Sequence, residues 1–151
     1  MKAPRLLIVS TLLLAPGILI ASERFDGTWH TRITCPRKGN TEGLTLNLNS
    51  VIENGALHGV LGTQGQPGSF VLAGKIAGDG SALLIGNGIV PTRQIVHGLI
   101  ARKGEAYSSE IKAKFKDSDG TGFTNEGIGL AGGPCTVEFV KELIMVNPGG
   151  R

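Results

Sequence analysis

Three histidines are the first side chains whose type suggests chemistry, because three imidazoles facing one cavity could bind zinc. They are His30, His58 and His97. His30 follows Trp29 and His58 follows Leu57, two positions that the alternation of apolar residues places inside a sheet protein. Both histidines should therefore point outward on different strands, while His97 is ambiguous. We expect surface or structural histidines, with no metal site and no cofactor.

The serines and carboxylates show no arrangement typical of an enzyme. No Gly-x-Ser-x-Gly elbow is present, and "GNG" at 86–88 has no following helix that would cradle a phosphate. The carboxylates fall mostly at predicted turns or on outer faces, so no inward pair is available for general acid–base catalysis. We expect a protein without catalytic activity.

The N-terminal segment is typical of a secretory signal peptide. Lys2 and Arg5 precede an apolar run from Leu6 to Ile20, and small residues follow it. Cleavage after residue 22 would give a secreted or periplasmic protein without a stable membrane anchor. The alternative is an uncleaved anchor, although the run is short and contains Pro16. Without Lys2 and Arg5 the chain keeps 13 basic against 12 acidic residues. Such a balance gives no basic surface for nucleic acid.

The remaining chain alternates apolar and polar residues with period two, which is typical of half-buried β-strands. We predict one domain over 23–141 and a tail over 142–151. The domain has abundant glycine, "ENGA" as a hairpin turn and no amphipathic helix. The predicted strands cover 29–35, 44–49, 57–61, 70–76, 81–88, 93–102, 107–116 and a last one over 121–126 and 135–141, interrupted at 127–133.

Two cysteines lie near the two ends of this domain. Cys35 ends the first predicted strand and Cys135 begins the last. In an up-and-down barrel of eight strands, closure removes the open edges and makes the first and last strands antiparallel neighbours. A secreted protein normally oxidises such a pair. We predict an all-β antiparallel barrel closed by a Cys35–Cys135 disulfide; the alternatives are two free thiols or an intermolecular pair.

Short motifs resemble those of the calycin barrels, the lipocalin and avidin group. They are "GTW" at 27–29, the run "NGALHGVLGTQGQPGSFVLAGKI" at 54–76 and "EFVK" at 138–141. The chain also resembles small secreted bacterial proteins that open with "FDGTW". The resemblance implies a barrel that holds a small ligand. The biotin site does not carry over, because the matching positions are Thr31, Cys35, Leu61, Thr63 and Val137, and the later tryptophans are absent.

Two hypotheses for function follow. The first is a carrier of a small apolar or amphipathic ligand inside the barrel, where inward Gly59 and Gly74 either leave room or relieve strain at bends. The second is a protein-binding module that uses loops at the disulfide end, namely 36–43, 63–68, 89–92 and 117–120. Lys112, Lys114 and Lys116 are interpreted as a solvated wall rather than an anion site. The oligomeric state is not predicted. The residues predicted to line a ligand cavity are Trp29, Thr31, Leu61, Phe70, Leu72, Tyr107 and Phe115.

Overall fold

The structure is a computed structural model that describes residues 23–96, 99–129 and 131–143. Within these residues no helix has the length and hydropathy that a membrane span requires. The predicted signal peptide, His97 and the tail beyond residue 143 lie outside the described residues. The strands are β1 Gly27–Cys35, β2 Leu44–Glu53, β3 Ala56–Leu61, β4 Phe70–Ile76, β5 Ser81–Ile89, β6 Gln94–Val96, β7 Leu99–Ala101, β8 Ala106–Phe115, β9 Asp119–Phe123 and β10 Thr136–Lys141.

Eight of these strands form a closed antiparallel barrel in the order β1-β10-β9-β8-β5-β4-β3-β2. Closure occurs where β1 pairs with β10, and Thr34 lies opposite Thr136 at the end of that ladder. The next residues along the two strands are Cys35 and Cys135, which form a disulfide with their Cα atoms 4.1 Å apart. The predicted all-β barrel and its disulfide are confirmed.

The hairpin of β2 and β3 shows how local sequence sets the register. Asn54 and Gly55 both have positive φ, 50° and 71°, which is the two-residue turn that matches the twist of the flanking strands. Asp26 accepts hydrogen bonds from the backbone N–H groups of Asn54, at 2.8 Å, and Gly55, at 3.1 Å. Glu53 consequently lies opposite Ala56, and inward and outward residues alternate along both strands.

One predicted strand was placed wrongly, and the interrupted last strand is two strands. The segment predicted as a sixth barrel strand, 93–102, instead forms a separate two-stranded sheet of β6 and β7, and β5 pairs directly with β8. Its apolar run lacks strict alternation and therefore does not specify one inward face. The predicted last strand divides into β9 and β10, which keeps the number of barrel strands at eight.

This change moves one predicted loop. β8 ends at Phe115 at the barrel end opposite the disulfide, so the turn at 117–120 does not lie with the loops at 36–43 and 63–68. The prediction that 117–120 belongs to the disulfide end was wrong, because it counted 93–102 as a barrel strand. The disulfide end carries the loops 36–43, 62–69 and 124–135 and the excursion that contains β6 and β7.

Candidate functional site

The seven residues predicted to line a cavity do point into the barrel. Five of them are buried, and Leu61 and Tyr107 are half-buried against the core. Their role as ligand contacts stays a prediction. The buried five are Trp29, Thr31, Phe70, Leu72 and Phe115.

Aromatic rings pack against each other in the half of the barrel away from the disulfide. The ring centroid of Phe115 lies 4.6 Å from that of Phe139, 5.5 Å from that of Trp29 and 6.2 Å from that of Phe25. Phe25 precedes β1 and is fully buried, so it covers this end of the barrel. The indole N–H of Trp29 donates to the carbonyl oxygen of Phe25 at 2.8 Å. The donor that a guest molecule would have used is therefore already paired.

The other half is filled by side chains that lean over inward glycines. A Cβ atom at Gly86 would overlap the ring of Phe70, and one at Gly88 would overlap the ring of Tyr107. These two rings stack with centroids 6.3 Å apart. The space beside the inward glycines of β5 is thus occupied by aromatic rings, which is the close approach that glycine permits.

Gly59 behaves in the same way on β3. A Cβ atom there would overlap the hydroxyl of Ser50 and lie 3.0 Å from a methyl group of Leu48. The Ser50 and Thr31 hydroxyls are 2.8 Å apart and form a buried hydrogen bond. Each of these two buried hydroxyls therefore has a hydrogen-bond partner within the protein.

The described residues of the segment 124–135, namely 124–129 and 131–135, cover the disulfide end. Ile128 is fully buried in the core, and a Cβ atom at Gly129 would lie 2.8 Å from the ring of Tyr107. Hydrogen bonds tie the base of the segment together: Thr124 N–H donates to the Cys135 carbonyl oxygen at 3.0 Å, and Cys135 N–H donates to the Thr124 hydroxyl at 2.8 Å. Burial in this environment raises the pKa of the Tyr107 phenol.

A cleft of about 510 Å³ lies on the outer wall instead, and we call it the wall cleft. Residues of β10, β1, β2 and β3 line it, and its outward residues lie in rows set by the strand register: Val140 lies opposite His30, which lies opposite Asn49, which lies opposite Val60. Its lining residues are His30, Thr31, Arg32, Asn47, Leu48, Asn49, Val60, Leu61, Gly62, Glu138 and Val140.

The wall cleft combines polar, charged and apolar groups. His30 Nδ1 and Asn49 Oδ1 are hydrogen-bonded at 2.9 Å. Arg32 lies opposite Glu138 in the register of β1 and β10 and brings the two charge signs into one row. Val140 is 55% exposed at the side of the cleft. Such a surface offers hydrogen bonds, both charges and an apolar contact, which is the mixture found at protein interfaces.

The wall cleft adjoins a place where the barrel wall separates. β2 pairs with β1 from Leu44 to Ile52, but it pairs with β3 only from Asn49 to Glu53. β3 ends at Leu61, and the chain turns away at Gly62. Among the described residues, Leu44–Leu48 consequently have a ladder partner on one side only. We call the other side of this segment the β2 edge.

A second separation lies between β8 and β9. β8 pairs with β9 only over Lys112–Phe115. The segment 124–129 lies beside the part of β8 that precedes Lys112. A cleft of about 310 Å³ remains there, lined by Ser108, Ser109, Glu110, Thr124, Asn125, Glu126 and Gly127. Its two carboxylates make it acidic, and the chain's own segment already fills the inner part of the gap.

The other candidate residues lie apart from both clefts or on exposed faces. His58 is exposed, and the part of the chain that is described holds no group of three His, Cys, Asp or Glu placed for a metal ion. Lys114 pairs with Asp79 at 3.2 Å and Lys116 with Asp119 at 3.8 Å, on an exposed wall. Hydrogen bonds from Ser81, and then Lys114, lower the pKa of Asp79.

Sequence reasoning missed the wall cleft, although the signals were present. Alternation correctly placed His30 outward on β1. Alternation along a single strand does not show which outward residues of neighbouring strands lie side by side, because that depends on the register of the strands. The register follows from the Asn54–Gly55 turn.

Comparisons with known proteins find little. No family model matches the chain, and no curated protein matches it. Among solved structures, the chain is similar to the ywiB protein from Bacillus subtilis, with 13% sequence identity and a TM-score of 0.38. That alignment covers 77% of this chain and 91% of the other.

Proposed function

We propose that this chain is a secreted or periplasmic binding protein without catalytic activity, and that it binds a protein partner through the wall cleft. The observation that carries the proposal is a contrast between the barrel interior and the outer surface of the barrel. The inward polar groups of Trp29, Thr31 and Ser50 are hydrogen-bonded within the protein. The wall cleft is concave, open and lined by groups that a partner can contact.

The location rests on the disulfide and on the leader-like N-terminus. Disulfides form and persist in oxidising compartments and are rare in the cytosol. The Cys35–Cys135 bond closes the barrel, so the folded protein gains most from a compartment where the bond survives. The apolar run from Leu6 to Ile20 supports export to such a compartment.

A protein partner fits the wall cleft better than a small apolar ligand does. Its volume of about 510 Å³ lies within the range of ligand sites, yet its lining includes His30, Arg32, Asn47 and Glu138. An apolar molecule would leave these groups without water or hydrogen bonds. A protein surface can pair with both charges and cover Val140.

A small ligand inside a calycin-like barrel is the second candidate, and one observation favours it. Leu61 and Tyr107, two of the predicted lining residues, are only half-buried and lie near the disulfide end. A ligand entering there would have to displace the Ile128 segment. The phenol of Tyr107 would supply one hydrogen bond to an otherwise apolar guest.

The test uses protein purified from its own host under native conditions and analysed by native mass spectrometry. The variant Val140→Arg places a bulky charge beside the wall cleft. Leu83→Arg is its matched control, because Leu83 is 51% exposed on a different part of the outer wall. We expect a protein partner that is retained by the wild type and Leu83→Arg and lost by Val140→Arg. Equal retention by both variants, or a co-purifying small molecule in place of a protein, would contradict the proposal.

A further inference from the structure

We propose that the β2 edge accepts an extended segment of the partner protein as an added β-strand, beside the wall cleft. This inference rests on the proposed function and names the partner's chemistry at that site. It follows from which backbone groups of the segment Leu44–Leu48 are unpaired, from the lack of protection along this edge and from the side chains around it.

Within the part of the chain that the structure describes, the backbone groups of this segment without a partner are those of Thr45 and Asn47. In the two-residue turn at Asn54–Gly55, the carbonyl oxygen of Glu53 accepts from the N–H of Ala56, so Glu53 faces β3. Every second residue of an antiparallel strand bonds the same neighbour. Asn49, which lies opposite Val60, therefore also faces β3. Thr45 and Asn47 continue this series past the point where β3 ends.

A separate observation gives the same assignment. The N–H of Glu142 donates to the carbonyl oxygen of Thr28 at 2.8 Å, so Thr28 faces β10. The alternate β1 residues, such as Thr31 and Ile33, must then face β2, where their partners are Leu48 and Leu46. These leucines use their backbone groups on β1. The backbone groups of Thr45 and Asn47 point to the other side.

The β2 edge lacks the devices that usually protect an edge. Exposed edges are normally blunted by charged side chains, proline or a bulge. The segment "LTLNL" at 44–48 has no charge and no proline, and its pairing with β1 contains no bulge. The loop that follows β3, "GTQGQPGS" at 62–69, has no charge either. An unprotected edge is a ready template for another strand.

The surroundings define the side chains of the added strand. Leu44, Leu46 and Leu61 are half-buried and pack against the core, so apolar residues of the incoming strand would cover them. Thr45 and Asn47 point outward and are exposed, so the alternate residues would be polar. The occupant is therefore an extended segment with alternating apolar and polar residues, as in known modes of strand addition.

The experiment uses end-capped synthetic peptides of alternating valine and threonine with lysine at each end, and NMR of the full isotope-labelled protein. Two further peptides carry N-methyl groups on alternate residues, one on the odd set and one on the even set. An added strand bonds β2 through one set only. We expect the unmodified peptide and one methylated peptide to shift the amides of Thr45 and Asn47, and the other methylated peptide to bind about tenfold or more weakly.

Variants of the protein provide the second arm. Thr45→Pro removes an N–H that faces the edge, at an edge position where a strand tolerates proline, and Thr45 is not among the residues that line the wall cleft. Thr45→Ala is its matched control, because it keeps the backbone N–H. We expect peptide binding to be lost in Thr45→Pro and kept in Thr45→Ala, with unchanged core resonances in both. Asn47→Pro repeats the test if Thr45→Pro does not fold.

Four results would overturn the inference: no binding of the unmodified peptide, equal binding of both methylated peptides, full binding by the proline variants, or self-association of the free protein that Thr45→Pro abolishes. The last result would identify a second copy as the occupant. Loss of the host partner in Val140→Arg but not in Thr45→Pro would reject strand addition and leave the proposed function intact. Retention of that partner by both variants would reject the proposed function.

Discussion

The barrel wall separates twice at the disulfide end, and the two places differ in what occupies the gap. Between β8 and β9, the chain returns through the segment 124–129, inserts Ile128 into the core and leaves an acidic rim with Glu110 and Glu126. Between β2 and β3, the uncharged segment Leu44–Leu48 has no ladder partner on one side among the described residues. The described part of the chain therefore fills one gap with its own segment and leaves the backbone of Leu44–Leu48 without a second ladder partner at the other.

The disulfide sits between these two gaps. The strands from one separation to the other are β2, β1, β10 and β9, and Cys35–Cys135 joins the middle pair. Without the covalent bond, this part of the wall would be held at its end only by the last pairs of each ladder. The bond therefore stabilises the strands that lie between the two gaps.

Removal of the disulfide should have the largest effect. The bond closes a loop across 100 residues of sequence, and the chain-entropy model gives about 4.7 kcal/mol for a loop of that size. We expect the double variant Cys35→Ser, Cys135→Ser to lose about 3–5 kcal/mol of unfolding free energy in a denaturant titration. Backbone amides near both separations should exchange faster than those of β4 and β5. A loss below about 1 kcal/mol would contradict the role assigned to the bond.

The second largest effect should come from truncating one side chain at each gap, and the loss of unfolding free energy should differ between the two gaps. Ile128 is fully buried, so Ile128→Ala should cost about 2–4 kcal/mol. Leu46 is half-buried beside the β2 edge, so Leu46→Ala should cost about half as much or less. Thermal and denaturant unfolding of the two variants measures the difference. Equal costs would mean that the β2–β3 gap is as well packed as the other.

Overpacking of the interior should have a smaller effect. A Cβ atom at Gly86 or Gly88 would overlap the ring of Phe70 or Tyr107. We expect Gly86→Ala and Gly88→Ala each to cost about 1–3 kcal/mol. Asn87→Ala, an exposed neighbour on the same strand, is the control and should change stability by less than about 0.5 kcal/mol. Neutral glycine variants would show that the interior has room for a ligand.

Titration of the one tyrosine of the chain should give the smallest signal. Burial raises the pKa of Tyr107, so the neutral phenol is favoured in the folded protein. The corresponding stability is fully present below the unfolded-state value of about 10 and is lost as the pH rises through the folded-state pKa. Ultraviolet absorbance should show the phenolate forming at higher pH in the native protein than in the Ile128→Ala variant. Identical titration curves would contradict the cover that segment 124–135 provides.

Much of the fold was predictable because it depends on alternation and on turns. The inward rows of β1 and β8 and the Asn54–Gly55 turn follow from local sequence, and the disulfide follows from strand parity. The failure at 93–102 has the opposite cause, since the apolar residues of "RQIVHGLIAR" do not alternate strictly and therefore specify no face. The prediction that 117–120 lies at the disulfide end failed with it.

The candidate site was less predictable because it is a difference in strand length. β3 ends at Leu61 while β2 extends back to Leu44, and no single residue signals that mismatch. Prediction of the wall cleft likewise requires the register of four strands. The inward residues of the predicted cavity were placed correctly, but alternation gives the direction of a side chain and not the space around it.

Amide hydrogen exchange along β2, followed by NMR in the free protein, tests the open β2 edge most directly. We predict that the amides of Leu46 and Leu48 exchange slowly because they bond β1, and that those of Thr45 and Asn47 exchange faster by about two orders of magnitude. Partner or peptide binding should remove this alternation. Uniform slow exchange across Leu44–Leu48 in the free protein would show that the edge is already paired and would contradict the account.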